Sequence, residues 1–210
     1  SDTGAFLGVA TTGEGGNVKR DLMSEVTAQT NLGGDSAGAA GRVSFVLGLK
    51  GPCFTVNTAC SSSLVALDSA CQSLRLGRCT RAVVAGVNLQ LHAASWAGFC
   101  AMHALSHDGQ CKTFDASADG YGRSEACGAV VVVNNAPVAT AKSEDNADVL
   151  SLVRGTAVNQ DGKSASFMAP NGPSQEAVIK AALADGGVLA ADVVYVETHG
   201  TGTAIGDPME

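Results

Sequence analysis

Aromatic residues are scarce in this 210-residue chain, at 4% with a single Trp, so its core is not built around large rings. It must be Ala, Val and Leu packed closely, backbone near backbone, which suits a sequence with 26 glycines. Charged residues are also few, at 16% against 45% hydrophobic, and that ratio excludes a disordered or solvating tail. Positive charge is shortest of all: 13 Lys plus Arg against 20 Asp plus Glu leave a net −7 at pH 7. A nucleic-acid binder needs a basic surface to meet phosphates, so that class is excluded. No apolar run approaches the roughly 20 residues of a membrane span, so no membrane partner is expected. The opening Ser1-Asp2-Thr3-Gly4 has no start Met, basic n-region or apolar h-region, so no targeting signal is visible and the chain reads as cut there. It reads as cut again at Glu210, just after Asp207-Pro208 announces a new helix.

Seven cysteines are an odd number without framework spacing. In a chain long enough to fold without disulfides they predict reduced thiols and a cytoplasmic location. Most are expected to be small buried hydrophobes, Cys53, Cys71 and Cys127 among them, with one a candidate nucleophile.

Short apolar runs alternate with helical periods, the pattern of βαβ units in an α/β architecture. Ala5 to Ala10 reads as a buried strand, residues 21 to 29 as a weak helix, and Ser36 to Leu47 as a small-residue helix. Cys53 to Asn57 is β-leaning after the turn pair Gly51-Pro52. From Ser61, Leu64, Leu67, Cys71 and Leu74 recur at helical spacing up to a stop at Gly77, and Ala82 to Val87 then reads as a strand buried on both faces. A loop from Ala104 to Arg123 leads to another buried strand, Gly128 to Val133, and then to a surface connection over Asn134 to Asp148. Beyond it the logic repeats: a strand over Val149 to Val158, a polar loop, a helix with Ser174 as N-cap and Gly186-Gly187 as stop, and a strand from Asp192 to Glu197. The expected halves are 1–142 and 149–210.

Two candidate reactive side chains stand at strand carboxyl ends, where α/β sheets bind ligands. Cys60 lies between a strand and the first turn of a helix, where free N–H groups and the dipole favour a thiolate and could hold an oxyanion. Ser61-Ser62-Ser63 keep that turn small. His199 lies in a Gly/Thr loop, where Gly200, Gly202 and Gly206 permit positive φ and Thr201 and Thr203 offer hydroxyls along one wall. Each signal alone is weak, since a thiol is as readily buried as reactive and a loop histidine is often only a solvated turn residue. Cys100, His103, His107 and Cys111 imitate a zinc site, but their C-x2-H-x3-H-x3-C order lacks a second half-site. Thr12 to Gly16 imitates a phosphate loop, but it precedes no strong helix and carries Glu14 where phosphate would sit.

The run Gly51-Pro52-Cys53-Phe54-Thr55-Val56-Asn57-Thr58-Ala59-Cys60-Ser61-Ser62-Ser63-Leu64 and the run Val196 to Thr203, continuing to Gly206-Asp207-Pro208-Met209-Glu210, resemble the active-cysteine and first active-histidine segments of the β-ketoacyl synthase family. Phe114-Asp115, Ala118 to Tyr121, Val158 to Gly162 and Ala169 to Gln175 look like its type I polyketide synthase branch. The resemblance implies a thiolase-like α/β fold of two βαβ-rich halves with paired mixed sheets, here incomplete at both ends. It implies an acyltransferase of the 3-oxoacyl-[acyl-carrier-protein] synthase type, with Cys60 holding an acyl chain as a thioester and His199 assisting decarboxylative condensation with a malonyl-type extender. Thr201 and Thr203 would contact the pantetheine arm and Glu210 would support the site. The implied partners are an acyl carrier protein bearing the phosphopantetheine, acyl and malonyl-type thioesters, and a second copy in a homodimer, with no cofactor or metal bound by the chain itself. The family's second active His and its Lys have no counterpart, so the fragment alone is expected to be inactive. Asn57 and Cys53 stand where many members have Asp and Ser, His107 where Pro is frequent, and Ala126 where Gly is frequent. A cysteine-dependent acyl hydrolase and a non-catalytic ketosynthase-like scaffold remain the alternatives.

Overall fold

A computed structural model describes residues 1–10, 35–90, 93–134 and 149–210. The weak helix at 21–29, the glycine run at 12–16 and the connection over 135–148 lie outside the described residues. Two compact units are present: Ser1–Ser95 with Ser124–Asp145, and Trp96–Arg123 with Asn146–Glu210.

The first unit is built on β1 (Thr3–Val9), α1 (Ala37–Leu47), β2 (Cys53–Val56), α2 (Ser62–Arg75), β3 (Arg81–Asn88) and β4 (Ala126–Val133). The sheet order is β2-β1-β3-β4, with β1 parallel to both neighbours and β4 antiparallel to β3. Every residue of β1 is buried because alternate side chains meet helices on opposite faces. Phe6 packs with Ala66, Ala70 and Leu74 of α2 and with Ala82 and Val84 of β3. Ala5, Leu7 and Val9 pack with Ala40 of α1. Small aliphatic residues, Ala with Val and Leu, fill both layers, as the scarcity of rings requires. Phe6 is the exception, fully buried and edge-on to Phe54 at 5.0 Å, a burial that contributes about 1.5–3 kcal/mol.

Both helices end on glycine. Gly77 takes φ 67° while Arg78 N donates to Ser73 O at 2.9 Å, and Gly48 takes φ 64° while Leu49 N donates to Ser44 O at 2.9 Å. The apolar stripe of α2 differs from the expected one, since Leu64 is 69% exposed and Ala66, Ala70 and Leu74 face the sheet.

Two strands are less buried than their sequences suggest. β3 is fully buried only at Ala82 and Val84, toward α2, and is half-buried toward the other face. β4 exposes Val130 and Val131 because it is the sheet's edge, where only Val132 packs against the α2 core. For the same reason Cys127 is exposed, as is Cys53 on the opposite edge strand, so among the seven free cysteines only Cys71 and Cys79 are buried.

α3 (Ala93–Ala101), which the sequence pattern does not announce, lies mostly within the second unit, where Arg123 lies over the Phe99 ring at 4.4 Å and Phe99 meets Tyr121 edge-on. The loop from 104 to 123 is irregular as expected, apart from a bridge between Leu105 and Tyr121.

The expected strands over 149–158 and 192–197 do not form. A strand exists by its ladder, and no neighbour among the described residues supplies one. Residues 193–197 instead leave Val194, Tyr195 and Val196 exposed. Segment 149–158 packs against the end of α4 (Gly172–Gly186), where Thr156 N donates to Asp185 Oδ2 at 2.9 Å and a side chain at Gly155 would strike Ala182 O at 2.4 Å. Asn171, not Ser174, caps α4: its Oδ1 accepts from Ser174 N at 3.4 Å, with Pro173 in the first turn, where a missing N–H does no harm. The stop at Gly187, φ 58°, agrees with expectation.

Candidate active site

Cys60 stands exposed on a tight turn between β2 and α2. The turn needs a left-handed residue, and Ala59 supplies it at φ 56°, a conformation that costs a non-glycine residue roughly 1–2 kcal/mol. The surrounding polar side chains offset this. Asn57 Oδ1 accepts from Ala59 N at 3.1 Å, Ser62 Oγ donates to Ala59 O at 2.6 Å, and Ser61 Oγ donates to Thr58 O at 2.9 Å. The acceptor at position 57 can be an amide or a carboxylate oxygen, which accounts physically for Asn in place of Asp. Cys53, likewise, does what a serine could: its sulfur accepts from Ser44 Oγ at 3.2 Å.

No glycine lies in this turn. The glycines that serve it lie beneath it, where Gly8 and Gly86, paired across β1 and β3, let the first turn of α2 approach the sheet. A Cβ at Gly8 would lie 2.5 Å from Ser62 C and Ser63 N, and one at Gly86 would lie 2.8 Å from Ser63 Cβ.

The histidine loop belongs to the second unit. His199 is exposed, Thr201 and Thr203 are half-buried, and Glu210 is exposed. Gly200 and Gly202 take φ 50° and 73°, as their sequence suggested. Gly206 is not left-handed; it is needed because a Cβ there would stand 2.5 Å from Thr203 Oγ1. That oxygen accepts from Gly206 N at 3.2 Å, so the Thr203 hydroxyl points into its own turn. Glu210 Oε2 accepts from Gly200 N at 2.8 Å and ties the two ends of the loop together.

Sequence reasoning missed the residue at the loop's centre. Asp207 is 7% exposed, and its carboxylate accepts from Phe114 N at 2.7 Å, Gly202 N at 3.0 Å and Thr203 N at 3.3 Å. The Phe114 N–H is the largest cause holding its pKa below the ordinary aspartate value, with smaller contributions from the other two donors and from His199. The available signal was an Asp in a glycine-rich loop with no basic neighbour in sequence.

Segment 104–122 forms the other wall. Thr113 Oγ1 donates to Gly200 O at 2.5 Å and Gly120 N donates to Gly202 O at 2.9 Å. The wall is held by Lys112, whose ammonium lies 2.6 Å from Asp119 and 3.1 Å from Asp108. Hydrogen bonds from Ser106 and Lys112 lower the Asp108 pKa to about 2, and those from Lys112 and Ser106 lower that of Asp119. Among the described residues no three His, Cys, Asp or Glu side chains gather as a metal site.

Two family descriptions fit the sequence: "Beta-ketoacyl synthase, N-terminal domain" over residues 1–136 and "Beta-ketoacyl synthase, C-terminal domain" over residues 150–210. The chain belongs to the β-ketoacyl synthase family.

This β-ketoacyl synthase chain is 47% identical over its full length to a phenolphthiocerol/phthiocerol polyketide synthase of Mycobacterium tuberculosis and to erythronolide synthase EryA3 of Saccharopolyspora erythraea. It spans only 11% and 6% of their lengths. Among solved structures, the oxazolomycin ketosynthase domain OzmH KS7 of Streptomyces albus JA3453 superposes with a TM-score of 0.89 at 38% identity over 99% of this chain and 35% of that one. The ketosynthase from module 6 of the bacillaene synthase of Bacillus subtilis 168 gives 0.84 at 34% identity, over 100% of this chain and 35% of that one. The fold is thus α/β and thiolase-like, and the chain is a ketosynthase segment of type I polyketide synthase kind. No helix among the described residues is long and apolar enough to cross a membrane.

Proposed function

We propose that the complete domain carrying this chain condenses an acyl chain with a malonyl-type extender, with residues 1–142 as the half bearing the nucleophile and 149–210 as the start of the half bearing the first active histidine. The observation that carries the reading is the exposed Cys60 thiol, presented on a braced turn at the head of α2. The Cys60 sulfur attacks the acyl thioester carbonyl and the carrier's thiol leaves, so the acyl chain rests on Cys60. The positive end of α2 favours the negative charge that passes through the sulfur and the oxyanion.

The extender's carboxylate then leaves as CO2. His199 donates a hydrogen bond to the extender's thioester oxygen, where the enolate charge gathers, and the enolate carbon attacks the Cys60 acyl carbonyl and expels the Cys60 thiolate. Thr201 contacts the pantetheine arm, as does Thr203 through the hydroxyl proton it still has to donate while its oxygen accepts from Gly206 N, and Glu210 holds the loop through the Gly200 N–H. The partners are an acyl carrier protein bearing the phosphopantetheine and a second copy of the domain. The protein needs no cofactor of its own and works in the cytoplasm, a reading that seven free cysteines support. The 210-residue chain alone is inactive.

The test is to incubate the complete domain with an acyl thioester and locate the acyl group by peptide mass spectrometry. Cys60 alone among the seven cysteines should carry it, and a Cys60→Ala chain should carry none. An acyl group on another cysteine, or on none, overturns the assignment.

A further inference from the structure

Ala59 keeps its left-handed backbone only if something holds it, because an alanine released from φ 56° returns to negative φ and carries Cys60 with it. The three side chains around the turn are not equal in this respect. Asn57 and Ser61 are exposed, whereas Ser62 is 3% exposed and is the only one whose hydroxyl bonds the peptides on both sides of the turn. It accepts from Thr58 N at 2.9 Å and donates to Ala59 O at 2.6 Å, and Ser62 N donates to the same Ala59 O at 3.1 Å. The backbone of Ser62 is itself fixed from below, pressed on Gly8, where there is no space for a Cβ. A single buried residue therefore transmits the position of the sheet to the turn that carries the sulfur.

We infer that Ser62 is a positioning residue for Cys60: its hydroxyl clamps Thr58 N and Ala59 O, keeps Ala59 left-handed, and so holds the thiol exposed at the head of α2. The inference rests on the reading of Cys60 as the acyl-carrying nucleophile. Its logic predicts a rescue. Glycine adopts positive φ without strain, so replacing Ala59 by glycine removes the need for a clamp.

The experiment compares the complete domain with Ser62→Ala, Ala59→Gly and the double variant, and reads both Cys60 acylation kinetics and the rate at which iodoacetamide alkylates Cys60. Ser62→Ala should lower kcat for acylation about tenfold or more with little change in KM, as expected for a misplaced nucleophile. It should also slow alkylation, and the double variant should recover most of both rates. Unchanged rates in Ser62→Ala, or a double variant no better than the single, overturn the inference. If Ser62→Ala does not fold, the double variant decides: a folded, reactive chain supports the clamp, and an unfolded one shows that Ser62 merely fills the core. If the unsubstituted domain never acylates Cys60, the functional reading fails, while the alkylation rates still judge Ser62.

Discussion

Asp207 joins two segments far apart in sequence, since its acceptors serve Phe114 on one side and Gly202 and Thr203 on the other. Asp207→Ala would strand three N–H groups at a nearly buried position. The expected outcome is a loss of several degrees in Tm and faster amide exchange at residues 114 and 202–203, read by hydrogen exchange. The same carboxylate gives a pH dependence, shared with Asp108 and Asp119. All three have pKa values depressed in the folded chain, so their stabilisation is complete above the unfolded value of about 3.9 and is lost as pH falls through the folded values, about 2 for Asp108. An acid titration followed by Tyr121 and Trp96 fluorescence should show the second unit's loop opening between those limits and no change from pH 5 to 7 assignable to these groups. Asn57→Asp keeps an acceptor for Ala59 N and should leave Cys60 acylation unchanged within about twofold.

At the scale of elements, the glycines sort into opposite predictions. Gly8→Ala forces a methyl against the backbone of α2 and should destabilise by about 1–3 kcal/mol or more, and Gly86→Ala should do likewise, since the Ser63 Cβ it meets moves only with that backbone. Gly41, inside α1 with nothing within 4 Å of its would-be Cβ, should reverse the sign: Gly41→Ala stabilises by about 0.5–1 kcal/mol in urea unfolding.

What the sequence made legible follows the range of the forces involved. α1 was readable from its run of small and apolar residues, and α2 and α4 because their stops are written locally, in Gly77 and in Gly186-Gly187. β1 to β4 were readable from short apolar runs, although β4 is an exposed edge and not the buried strand its composition suggests. The segments 149–158 and 193–197 have the same apolar content and form no ladder, because a ladder depends on a neighbour that local pattern does not supply. α3 was missed because its run of small residues shows no clear polar face. Cys60 and His199 stood out through their motifs, but Asp207 and Ser62 did not. Their importance lies in which backbone groups reach them, and spacing along the chain does not encode that.

For the molecule as a whole, the exposed apolar residues are the main fact: Phe45 and Val46 on α1, Val130 and Val131 on β4, Leu150 and Val194 in the second unit are all more than half exposed. Such surface, on a chain that covers about a third of the solved ketosynthase domains, predicts self-association. The isolated chain should bind a hydrophobic dye and scatter light at micromolar concentration, whereas the complete domain should do neither.

The bonds from Thr113 to Gly200 and from Phe114 to Asp207 span 87 and 93 residues of chain. During synthesis the 104–122 wall therefore leaves the ribosome long before its partners exist. At about 5–20 residues per second, the wait is on the order of 5–20 s, and over that interval the Thr113 hydroxyl and the Phe114 and Gly120 N–H groups lack the partners they have in the folded chain. A pause in translation between the codons of Phe114 and Gly200 would lengthen the period in which these groups of the nascent protein are open to misassembly.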